Sequence, residues 1–150
     1  MTLRSALAAL MAALALAGCS SLGIDYKAPT DASLRSDLAV VAARQGDYAL
    51  AYQLDAPLAR NGNYESQWRL SVLYAKGLHV AKDLNEAGYW SALATKGNTE
   101  IFVRTWEGIK AQLSKEEVDA LIARAKEFKP EPLPKDYRDW RGKLEAARSS

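Results

Sequence analysis

The stretch that most constrains this chain is Leu70–Asn98, LSVLYAKGLHVAKDLNEAGYWSALATKGN. It falls into two apolar-periodic halves. Leu70, Leu73 and Tyr74 stand at helical spacing in the first, and Leu84, Ala87, Trp90 and Ala94, with Tyr89 alongside, in the second. Each half stops at a glycine, Gly77 and Gly97, the residue that best tolerates a left-handed turn after a helix. Asp83 opens the second half with Glu86 three residues on, the acidic form of a capping box. The spacing predicts a helix, a short glycine-marked loop and an antiparallel helix.

The flanks repeat the theme. A helix is expected from Asp31 or Ser33, with Leu34, Leu38, Val41 and Ala42 as its apolar face and Gly46 closing it. Asp47 begins another, carrying Tyr48, Ala51, Tyr52, Leu54, Leu58 and Ala59 up to Asn61-Gly62-Asn63. The frame from Asp47 to Gly62 returns from Asp83 to Gly97, offset by 36 residues at its start and 35 at its end. Pro57 departs from the pattern, because a proline inside a helix removes a hydrogen bond and bends the axis. Asn63 caps a helix with Tyr64, Trp68, Leu70, Val72, Leu73 and Tyr74. After Gly97, Ile101, Phe102, Val103, Trp106 and Ile109 mark another, weakened by Gly108. Ser114-Lys-Glu-Glu117 is a capping box, with Leu113 and Val118 at hydrophobic-staple spacing, for a helix using Val118, Leu121, Ile122, Ala125 and Phe128. Glu116 and Glu117 look like paired acids, but a first helical turn favours carboxylates through the helix dipole alone. The chain reads as all-α: a short helical-repeat solenoid of antiparallel helix pairs over residues 32–129, about six helices, plus a C-terminal helix.

The central stretch resembles a Sel1-like repeat, a relative of the tetratricopeptide repeat. The matching positions are Leu70, Tyr74, Gly77, Val80, Asp83, Ala87, Trp90, Ala94 and Gly97. Ser71 and His79 stand where that family has glycine, and Leu93 where it has alanine. The first pair resembles a degenerate half-repeat and the last a divergent capping repeat. The resemblance implies that Trp68, Tyr74 and Trp90 wedge neighbouring pairs together, which competes with a ligand-cage reading of the same aromatics. His79 is expected to be a loop residue in a former glycine position, since histidine is among the few residues enriched at positive φ; the alternative is a binding-surface histidine.

Residues 1–18 are a targeting segment: Arg4, then the uncharged Ala/Leu run Ser5–Ala17 of 13 residues, below the roughly 20 that span a bilayer. Leu16-Ala17-Gly18-Cys19 looks like the lipobox of bacterial lipoproteins, in which small residues admit the signal peptidase and the cysteine thiol takes the lipid. That likeness implies that Cys19 becomes the lipidated first residue; the plainer alternative is a secretory leader with an incidental cysteine. Several acyl chains, at about 0.8 kcal/mol per buried methylene, make such an anchor lasting. Ser20 follows where retention in the inner membrane usually requires aspartate, which implies the outer membrane. Residues 19–31 form a polar tether. Ser20–Asp31 reaches at most roughly 40 Å, which keeps the domain close to its membrane. At the other end, residues 130–135 belong to a stiff proline-rich spacer. Residues 136–150 then place Tyr137, Trp140 and Leu144 on one helical face with basic flanks. This helix either folds back over the open end of the stack or docks a partner helix or a membrane.

Composition narrows the function. The formal charge is +2, and removal of Arg4 with the leader leaves 19 Lys and Arg against 18 acids, without the clustered excess that nucleic acid or an acidic membrane surface calls for. Cys19 is the only cysteine and His79 the only histidine, so no Cys/His metal cluster and no Cys-His or Ser-His catalytic arrangement can be assembled. No phosphate loop, HExxH or Gly-x-Ser-x-Gly motif occurs. Glu100 and Glu107 are scattered helix-surface acids, a weak basis for a glycan hydrolase. No cofactor is expected. Helix-pair repeats generally bind partners on curved surfaces without chemistry of their own. The expectation is an outer-membrane-anchored periplasmic adaptor for another envelope protein. The resemblance extends to longer Sel1-repeat lipoproteins of polysaccharide export, which support assembly of an outer-membrane pore. The alternative is a periplasmic inhibitor or immunity-type protein that blocks an enzyme. Cys19→Ala is expected to leave the fold intact and to mislocalise the protein in membrane fractionation; recovery of that variant in the outer membrane contradicts lipidation.

Overall fold

Four helix starts in this chain are fixed by a short polar side chain that takes up free N–H groups of the first turn. The structure, a computed structural model, describes residues 31–134, and packing divides the chain between Thr30 and Asp31. The readings for the leader, for Cys19 and its tether, and for the helix after Asp136 lie outside the described residues. Six helices follow in order: α1 Asp31–Arg44, α2 Tyr48–Arg60, α3 Tyr64–Lys76, α4 Leu84–Ala94, α5 Glu100–Lys110 and α6 Lys115–Lys126, with a 3₁₀ turn Thr95–Gly97 after α4. Among the described residues there is no strand.

Asp47 accepts from the Leu50 N–H at 3.0 Å and Asn63 from the Ser66 N–H at 2.8 Å. Asp83 accepts from the Asn85 and Glu86 N–H groups, both at 2.9 Å. Ser114 forms the full reciprocal box: the Glu117 N–H reaches its hydroxyl at 3.2 Å, and the Ser114 N–H reaches the Glu117 carboxylate at 2.8 Å. The Ser114 N–H, and then the Ser114 hydroxyl at 2.9 Å, hold the Glu117 carboxyl below its ordinary value. At Asp83 the box is only half made. Glu86 does not turn back to the cap but pairs with Arg124 on α6, whose guanidinium also lies over the Tyr89 ring, 3.7 Å from its centroid. The acid thus ties α4 to α6.

Neighbours in sequence pack as neighbours in space, α1 on α2, α2 on α3, α3 on α4 and α4 on α5. This is an all-α helical-repeat fold. The last pair departs from the hairpin expected for it: α5 and α6 both pack on α4 and hardly on each other. A hollow lined by Trp106, Ile122 and Ala125 lies between them, and Ile122, expected in the core, is exposed. The core proper gathers Ala56 and Ala59 of α2, Leu70 and Leu73 of α3, Tyr89, Trp90 and Leu93 of α4, and Leu121 and Ala125 of α6. Pro57 is accommodated inside α2, where the carbonyl it deprives of a donor belongs to exposed Gln53.

Three local expectations change. On α1 the buried residues are Arg35, Ser36, Ala39 and Ala42, whereas Leu34 and Leu38 are half-buried and Val41 is 45% exposed. Apart from Arg35 the buried side chains are small and allow close approach to α2, and the larger aliphatics are displaced to the flank. On α5, Phe102, Trp106 and Ile109 are buried but Ile101 and Val103 are exposed. The third change concerns Gly97. Gly77 caps α3 in the left-handed conformation at φ 68°, as its position implies, but after α4 that conformation falls to Asn98 at φ 51°. Gly97 is needed for space: a Cβ there would lie 2.9 Å from Tyr64 Cβ and 3.1 Å from Phe102 Cε2. His79 adopts φ 67° in the α3–α4 loop. Gly97 and Gly108 therefore predict opposite outcomes in denaturant unfolding. Gly97→Ala lowers stability by about 1–3 kcal/mol through overpacking, whereas Gly108→Ala, which meets nothing within 4 Å, raises it by about 0.5–1 kcal/mol. Equal effects of the two substitutions contradict this assignment.

Candidate functional site: the groove over the first helices

Helices α1, α3 and α5, together with the N-terminal half of α2, line a groove of about 620 Å³. Its walls are mostly apolar: Val40 on α1, Tyr48 on α2, Trp68 and Val72 on α3, and Ile101 and Phe102 on α5. On α1 and α2 these residues reach the groove because alanines, with Ser36 on α1, are among the side chains turned to neighbouring helices. Trp68 spans two pairs. Its ring lies 5.8 Å from that of Phe102, and its indole N–H donates to Thr105 Oγ1 at 2.9 Å. The Thr105 hydroxyl in turn donates to the Ile101 carbonyl at 2.7 Å. The indole is fixed at both ends of its contact with α5.

A buried ion pair lies at the groove's floor. Asp55 of α2 is 0% exposed and Arg69 of α3 11%. The guanidinium donates to Asp55 twice, Nε to Oδ2 at 2.8 Å and Nη2 to Oδ1 at 2.7 Å, and again to the Ser36 hydroxyl of α1 at 2.7 Å. Ser36 donates onward to Glu65 at 3.4 Å. Burial pushes the Asp55 carboxyl above the usual carboxylate value, while the hydrogen bond and charge of Arg69 oppose it. Three helices thus share one bidentate, hydrogen-bonded pair. A second link joins α2 to α3, where the Tyr52 and Tyr74 hydroxyls lie 3.3 Å apart with their rings edge to face. Burial, and then the Tyr52 hydroxyl, push the Tyr74 phenol up to about 12.

The nine repeat-motif residues are placed by the structure in the core and loops, not in the groove. Leu70, Ala87, Trp90 and Ala94 are buried, and Val80 packs against the core. Tyr74 and Asp83 come together across the loop, where the Asp83 N–H donates to the Tyr74 carbonyl at 3.0 Å, and Gly77 lies against Lys82. His79 sits outside the groove with its ring 5.6 Å from Tyr52. The groove residues Val40 and Arg69, with Asp55 and Ser36 below, were not singled out by the sequence, and Ile101 was expected only as part of an apolar helix face. Asp55 did leave a signal, a charge between Leu54 and Leu58 on an otherwise apolar helix face.

Among the described residues no group of three His, Cys, Asp or Glu side chains stands together to hold a metal ion. No described helix is long and apolar enough to cross a membrane. What the groove offers is apolar surface on a rigid floor, suited to holding a partner segment by burial. Comparison with family models, curated proteins and solved structures finds no match to this chain.

The ion pair generates a stability prediction. Asp55→Ala leaves Arg69 partly buried without its carboxylate and is expected to cost about 3–5 kcal/mol in urea unfolding, whereas Asp55→Leu combined with Arg69→Met restores most of it. A loss under about 1 kcal/mol for the single variant contradicts the role given to the pair.

Proposed function

We propose that this chain is a lipid-anchored, Sel1-like repeat adaptor that holds another envelope protein in the groove over α1, α3 and α5. The observation that carries the reading is the apolar lining of that groove, including an Ile101 that is 45% exposed on a helix whose buried face is Phe102, Trp106 and Ile109. An exposed aliphatic beside Trp68 in a concave surface suits a partner's apolar side chain better than water. The repeat-like sequence supports the same class of task, since stacked helix pairs present extended concave surfaces. The Cys19 motif supports placement at the outer membrane, facing the periplasm, within a short tether's reach. The six described helices make a stack close to the smallest that is normally stable, which favours an adaptor over a large scaffold.

Ile101→Arg puts a charge into the groove without touching the core. Its thermal unfolding should match that of the parent chain, while recovery of the partner by crosslinking from membranes should fall at least about tenfold. Undiminished recovery with Ile101→Arg removes the groove from the proposal.

A further inference from the structure

The groove differs at its two ends. Near the starts of α1, α3 and α5 it adjoins a second hollow of about 330 Å³, and the two share Glu65, Thr99 and Phe102. That hollow is polar where the groove is apolar. Asp37 and Glu65 line it, both exposed, and no ion pair among the described residues involves either. Arg69, a cation that also lines the groove, is paired with Asp55 and reaches Glu65 only through the Ser36 hydroxyl. That hydroxyl accepts from Arg69 at 2.7 Å and donates to Glu65 at 3.4 Å. Accepting from a guanidinium leaves its own proton to point at Glu65, which orients the carboxylate and leaves it acceptor capacity. The two carboxylates outweigh the partial positive charge of the helix starts around them, about half a unit each.

The other end carries the opposite sign. Arg44, in the last turn of α1, lines the groove, is exposed and takes part in no ion pair among the described residues. Asp37, Val40 and Arg44 follow at i, i+3 and i+7 on α1, so acid and base stand roughly 10 Å apart with an apolar residue between. A partner that covers the groove takes water from the carboxylates at its edge. An apolar or acidic neighbour there leaves them unpaired or repelled, whereas a basic one offsets the loss. A Lys or Arg stem can lie along Phe102, common to groove and hollow, while its charged head reaches the acids.

We infer, resting on the reading of the groove as a partner site, that its occupant is an amphipathic protein segment with Arg or Lys at one end of its apolar stripe. The stripe covers Trp68, Val72 and Ile101, and the basic head enters the hollow lined by Asp37 and Glu65. Arg44 denies a cation the opposite end, so the charges select one direction for the segment as well as its composition.

The test selects a display library of random peptides on the full-length chain held in detergent. The chosen peptides should join an apolar stripe to Arg or Lys at one end. The chain's formal net charge of +2 works against this, since general attraction favours acidic peptides. In the best binder, made synthetically and followed by fluorescence anisotropy, replacing the basic residues by Glu should weaken binding at least about tenfold. Asp37→Asn combined with Glu65→Gln should remove that preference; both side chains are exposed, and the amides keep their shape, so the fold is retained. Ile101→Gln, which adds no charge, should weaken basic and acidic versions alike. Selected peptides without basic residues, or a basic preference that survives Asp37→Asn with Glu65→Gln, overturn the inference while the groove reading stands on its Ile101 dependence. Binding that Ile101→Gln leaves unchanged, or no selected binder at all, removes the groove reading and the inference with it.

Discussion

The bidentate pair between Asp55 and Arg69 is the constraint on which the first half of the molecule rests. It joins α2 to α3 and, through the Ser36 hydroxyl, reaches α1. Taking two charges out of water is costly, and only good geometry with further hydrogen bonds offsets that cost. Both conditions are met here. A slip of α3 along α2 by one turn would bury one charge without the other, at a cost of about several kcal/mol. The pair thus fixes the register of three helices in a way that interchangeable apolar contacts cannot. The other end of the stack is tied by a more exposed pair, Glu86 with Arg124, and by the Trp68–Thr105 hydrogen bond, and there α5 and α6 splay on α4.

The groove follows from where size is spent. Ala39, Ala42, Ala51, Ala87 and Ala94 are buried where helices approach, and Gly97 lets the start of α3 meet α5. Close approach on those faces leaves the larger side chains Trp68, Val72, Ile101 and Phe102 to line the concave side. The floor beneath them is rigid because its charges are paired. A partner entering such a groove gains apolar burial without first ordering its walls, which is the advantage of a pre-organised site.

The helices, their starts and their order were legible in the sequence. Asp47, Asn63, Asp83 and Ser114 each announce an N-cap, and a cap is a local event that neighbouring residues decide. What depended on tertiary packing was not legible. Leu34, Leu38 and Val41 look like a core face until α2 supplies its own leucines and takes alanines from α1. Glu86 fits a capping box until Arg124 on α6, 38 residues away, offers a better partner. Gly97 sits at a helix end and invites a left-handed reading, yet its role is set by the bulk of Tyr64 and Phe102. The groove was hidden for the same reason, since its walls come from helices that no local pattern relates. The single sequence-level sign of it was Asp55, a carboxylate where an aliphatic residue was due.

The central claim is that the concave face over α1, α3 and α5 is the surface that meets a partner. It is tested most directly by placing a photoreactive residue at Val72 in the groove, and separately at exposed Ala123 on α6, in cells expressing the full chain. The account predicts a single prominent adduct to another envelope protein from the Val72 position and none from the Ala123 position. Adducts from the Ala123 position alone would show that the protein binds through its other face, and would contradict it.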